Sequence, residues 1–101
     1  MLTFERVFET FADYLDEDKA TEVVKAAHGY IVMFWHKERS EYDFFALCKT
    51  PHALLKELVS RYGGYLEWLA CGGEGDPTTK QKTEIAKKKK AIHAECLSAE
   101  K

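Results

Sequence analysis

Three cysteines and four histidines are the residues of this chain best suited to nucleophilic or metal chemistry. Cys48 precedes a helix start at Thr50-Pro51, and His52 lies just inside that helix. A thiol near a helix N-terminus can have a lowered pKa, and a histidine beside it could act as its base. Cys48 also alternates with apolar neighbours, and cysteine is among the most buried residue types, so the core is its expected place. His93 and Cys96 stand three apart near the C-terminus, with Cys71 across a glycine loop. Zinc takes four ligands, commonly in CxxC or HxxxH pairs, and these three residues supply one HxxC. His28 and His36 end strand-like segments and read as surface or half-buried side chains. Gly72-Gly73-Glu74-Gly75 lacks the GxxxxGK[ST] pattern of a phosphate loop, and its acids would repel an anion. It reads as a linker. No pair of carboxylates shares an apolar face as a general acid and base would. The residues therefore imply no catalytic group, no metal and no cofactor.

A second set of candidates is charged. Lys87, Lys88, Lys89 and Lys90 follow Lys80 and Lys82 and are the candidate contact for an anion or nucleic acid. Four consecutive lysines span more than one helical turn and so surround a helix without forming a stripe. The segment has no arginine and no aromatic residue to stack on a base. The chain is acidic overall, at net −2, where a dedicated nucleic-acid binder is expected to be basic. Charge is unevenly spread. Residues 1–28 carry three bases against seven acids, and residues 78–101 carry seven lysines against three glutamates. Mutual attraction between the two ends is the simpler expectation, and an end reserved for a charged partner is the other.

The elements that would position these groups follow from periodicity. Phe4, Val7, Phe8, Phe11, Tyr14 and Leu15 recur at spacings of three and four, which makes residues 3–15 a helix with Thr3 as its N-cap. Asp16 to Lys19 forms a solvated break. Over residues 20–28, Thr21, Val23 and Val24 favour a strand, while the alanines and Gly29 would suit a short helix. The strand is preferred, because the next segment needs a partner. Residues 30–37 are β-branched and aromatic, Lys37 to Glu41 is a polar turn, and residues 42–49 form a second apolar run, so the pair reads as an antiparallel hairpin.

Thr50-Pro51 opens a helix whose stripe, Leu54, Leu55, Leu58, Val59, Tyr62, Tyr65, Leu66 and Leu69, holds its period for four turns. Gly63-Gly64 interrupts it at a cost of about 1 kcal/mol each, and a weak point or kink is expected there. Asp76-Pro77 repeats the cap-then-proline signal, and residues 78–97 form a last helix with a thin stripe of Ile85, Ile92, Cys96 and Leu97.

The chain thus reads as one α+β domain spanning residues 1–101. A three-stranded antiparallel meander packs with an N-terminal helix, a long helix at 51–70 and a basic C-terminal helix that could be loosely attached. Its 101 residues, 46% hydrophobic and 13% aromatic, suffice for a core. The longest apolar run, Tyr30 to Trp35, falls far short of the roughly 18 residues of a membrane span. With no signal-peptide pattern at the start and an odd cysteine count, a reducing cytoplasmic setting is expected.

The segment FERVFETFADYL at 4–15, the Gly29-Tyr30 pair opening a strand, and CKTPHALLKELVSRYGGYLEWL at 48–69 carry a resemblance. Together they resemble small uncharacterised proteins of anaerobic gut bacteria, often encoded in conjugative transposons and related mobile elements. The likeness covers residues 1–70. It implies a bacterial cytoplasmic accessory protein and brings no catalytic residues with it.

The sheet region holds more apolar surface than one buried face can use. Tyr30, Val32 and Phe34 oppose Ile31, Met33 and Trp35, and Phe44 opposes Phe45. A wide exposed aromatic patch is unusual in a soluble monomer, and the C-terminal helix is too rich in lysine to cover it. Tyr30, Ile31, Met33, Trp35 and Phe45 are therefore the candidate partner surface. A non-catalytic accessory protein acting by protein–protein contact, self-association included, is the function expected. The alternatives are a nucleic-acid-associated protein using Lys87 to Lys90, and a small thiol- or metal-dependent enzyme.

Overall fold

A computed structural model describes residues 1–98. Its elements are α1 (Phe4–Glu17), β1 (Thr21–Ala26), β2 (Gly29–His36), β3 (Glu41–Cys48), α2 (Pro51–Cys71) and α3 (Thr79–Leu97). The strands form one antiparallel sheet in the order β1-β2-β3. This is the α+β meander the periodicity predicts, and within residues 20–28 the stretch Thr21–Ala26 takes the strand form, with Ala27 and His28 in the turn to β2. No described helix is long and apolar enough to cross a membrane.

Local chemistry sets the boundaries. The Thr3 hydroxyl accepts from the Arg6 N–H at 3.1 Å, and Thr50 accepts from Ala53 at 3.1 Å with Pro51 in the first turn. Each satisfies a donor that the first turn leaves without a partner. The α3 start differs from the expected Asp76-Pro77 cap. Thr78 is the N-cap, accepting from Gln81 N–H at 3.1 Å, while the Gln81 side chain accepts from Thr78 N–H at 2.8 Å. This capping box satisfies two donors, one more than Asp76 alone would. Gly29 is required where it stands. Its φ is +145°, and a Cβ there would lie 2.5 Å from the Cys48 carbonyl oxygen at the end of β3.

α2 runs through Gly63-Gly64 as one helix, as the unbroken phase of its stripe predicts. Gly63 is buried where α3 crosses, and the aliphatic stem of Lys89 lies over it. A Cβ on Gly63 would come within 2.8 Å of Lys89 Cδ. Lys89 thereby completes the α3 stripe with Ile85, Ile92 and Cys96, at steps of four, three and four. The stripe looks thin in sequence because one of its members is a lysine lying along an apolar surface.

The core gathers Val7, Phe11 and Tyr14 of α1, Val32 and Cys48 of the sheet, Leu54, Leu55 and Leu58 of α2, and Cys96 of α3. Arg6 ties the first helix to the last, its guanidinium donating to the Glu95 carbonyl at 2.6 Å and the Cys96 carbonyl at 3.3 Å. A cation here also suits the negative C-terminal end of α3. This is not the expected attraction of front acids for tail lysines, since Arg6 is a base of the acidic end and its acceptors are main-chain carbonyls; the ion pairs Arg6–Glu9, Lys19–Asp16 and Lys87–Glu84 are each local to one end. The molecule is flat, 38 × 35 × 18 Å, which is the thickness of one helix layer on one sheet.

Candidate interaction surface

The two faces of the sheet have different fates. Thr21, Val23, Val32, Ala46 and Cys48 turn towards the helices, and Tyr30 packs there against Phe4 and Phe8 with ring centres 4.7 and 5.0 Å apart. The other face carries Val24 on β1, Ile31, Met33 and Trp35 on β2, and Tyr42, Phe44 and Leu47 on β3. None of these seven belongs to the core or packs against it. Phe44 is 63% exposed, and Val24, Tyr42 and Leu47 are also exposed. The rings of Trp35 and Tyr42 lie 4.7 Å apart, and the Glu22 carboxylate beside the Tyr42 hydroxyl raises the phenol above its ordinary range.

A β-bulge builds this face. Val32 pairs with Ala46 and Met33 pairs with Phe44, which leaves Phe45 as an extra residue in β3. Alternation along β3 would put Tyr42 and Phe44 on the side of Ala46 and Cys48. The inserted residue reverses the phase, so Tyr42 and Phe44 join Leu47 on the outside. Phe45 points inward, 5.8 Å from the Phe34 ring, with the Arg61 guanidinium 4.2 Å above it. Arg61 also pairs with Glu57 one helical turn back, at 3.0 Å.

Of the five residues expected on a partner surface, Ile31, Met33 and Trp35 lie together on the outer face. Tyr30 and Phe45 do not. Tyr30 has the parity of Val32 and packs under α1, and the bulge carries Phe45 to the core side.

The candidate metal ligands do not come together. Cys48 and Cys96 are buried free thiols and Cys71 is half-buried. Burial, with the Glu57 carboxylate near it, pushes the Cys48 thiol up, the reverse of activation. Cys71 ends α2 beside the start of α3, while Cys96 lies at the far end of α3, about 25 Å along the helix at 1.5 Å per residue. Among the described residues no three His, Cys, Asp or Glu side chains are grouped to hold a metal ion. Lys87 to Lys90 surround α3, with Lys89 half-buried on Gly63 and Lys87 3.8 Å from Glu84.

Asp18 departs most from its expected place. It is buried, where a solvated break was expected, and its carboxylate accepts from Tyr14 Oη at 2.8 Å, Thr21 Oγ1 at 2.8 Å and Ala20 N–H at 3.1 Å. These bonds fasten the end of α1 to the start of β1. The Tyr14–Asp18 spacing of one helical turn, followed by Thr21, is the signal that could have revealed it.

Comparison with known proteins finds no matching family model, no matching curated protein and no matching solved structure.

Proposed function

We propose that this chain is a non-catalytic accessory protein that acts by protein–protein contact through the outer face of its sheet, and that a second copy is the occupant. The reading keeps the expectation that residues 1–70 carry, an accessory protein of bacterial mobile elements. The observation behind it is the row of seven apolar side chains on the uncovered face. The burial and raised pKa of Cys48, and the distance between Cys71 and Cys96, favour binding over catalysis. A second copy suits the face because that face is apolar but for a single carboxylate, Glu22, beside the Tyr42 hydroxyl. Two copies therefore meet with little like charge opposed, sheet on sheet, in a helix–sheet–sheet–helix stack. Three strands about 4.8 Å apart and seven residues of about 3.3 Å give a flat patch of roughly 300 Å². A lasting complex buries roughly 800 Å² per partner, so the association is weak and concentration-dependent. Sedimentation over a wide concentration range tests it. The expected result is a reversible dimer, insensitive to salt and abolished by Phe44→Glu. A monomer at every concentration, or a dimer indifferent to Phe44→Glu, overturns it.

A further inference from the structure

On the opposite side of the molecule, α2 and α3 border a groove of about 460 Å³ with a floor of Val59, Ile85 and Ala86. Lys82, Lys89, Lys90 and His93 line it from α3, and Glu67 lines it from α2. The four α3 groups fall on one flank of that helix and cover about 16 Å of its length at 1.5 Å per residue. None of them has an ion-pair partner among the described residues. The Lys89 stem lies across Gly63, where a methyl group would meet its Cδ at 2.8 Å and its Nζ at 3.2 Å.

We propose that this groove binds a carboxylate-rich, partly apolar polypeptide segment of a partner protein. Unpaired cations along the flank match carboxylates, and the apolar floor matches the aliphatic side chains between them. Nucleic acid fits the groove less well. Glu67 opposes phosphates and carboxylates alike, and His93 is the one ring in the lining, but the apolar floor of Val59, Ile85 and Ala86 has no counterpart along a phosphate backbone, and Lys87 lies off the flank, near Glu84.

The test is fluorescence anisotropy of the full chain with a labelled peptide of alternating Glu and Leu, with its Gln-for-Glu counterpart and a short DNA duplex as competitors. The Glu peptide should bind, lose affinity with rising salt, and lose about tenfold or more with the double variant Lys89→Met, Lys90→Gln. Methionine keeps the apolar stem over Gly63, and an unchanged circular dichroism spectrum and melting temperature establish that the variant is folded. No binding at low salt, equal binding of the Gln peptide, unchanged affinity in the double variant, or tighter binding of the duplex overturns the proposal.

Discussion

The Tyr14 hydroxyl donates a 2.8 Å hydrogen bond to the buried Asp18 carboxylate, one helical turn further along the chain. Burial, more than any other cause, raises the Tyr14 pKa above the usual phenol range. A phenol whose folded pKa lies above its unfolded value of about 10 stabilises the fold below pH 10, and that contribution is lost as pH rises further. Stability measured by urea titration should therefore fall above pH 10, and Tyr14→Phe should make that fall shallower. At neutral pH, Asp18→Ala leaves the Tyr14 and Thr21 hydroxyls without their acceptor and should cost about 2–3 kcal/mol.

Gly63 and Gly64 are adjacent in one helix yet should respond unequally to substitution. Nothing lies within 4 Å of a Cβ at Gly64, so Gly64→Ala should stabilise by about 0.5–1 kcal/mol. Gly63→Ala gains the same helix propensity, but the Lys89 side chain must move aside, so its gain should be smaller than at Gly64. Combining Gly63→Ala with Lys89→Ala should restore the gain. A double-mutant cycle by chemical denaturation measures this coupling.

The three thiols should react with a disulfide reagent in two classes. Half-buried Cys71 reacts first, while Cys48 and Cys96 are buried and wait for opening of the structure. Absorbance kinetics with and without urea should show one fast thiol in buffer and three in denaturant. Fast reaction of Cys48 in buffer would contradict its burial and raised pKa.

Val32 and Phe44 lie on opposite faces of one sheet and should differ in what their loss costs. Val32→Ala empties a fully buried site and should destabilise by about 1–3 kcal/mol. Phe44→Ser removes a larger side chain from solvent and should change stability by about 0.5 kcal/mol or less. Thermal melts of dilute protein make the comparison.

The N-caps at Thr3 and Thr50, the hairpin turn at Lys37 to Ser40 and the stripes of α1 and α2 are legible in the chain alone. Each depends on residues within a few positions of one another, where backbone donors, turn geometry and helical period act. The element order and the α+β class follow from them. The outer face is legible in part. Ile31, Met33 and Trp35 share a parity that local alternation displays, but Tyr42 and Phe44 reach that face through a bulge that exists only once β3 is paired with β2. The burial of Asp18, the engagement of Lys89 on Gly63 and the separation of Cys71 from Cys96 are likewise decided by tertiary structure. Lys89 reads as a solvated charge until a glycine 26 positions earlier in sequence offers it a groove. Periodicity says which side of an element is apolar. What that side meets depends on residues remote in sequence, brought together by the packing of helices on the sheet.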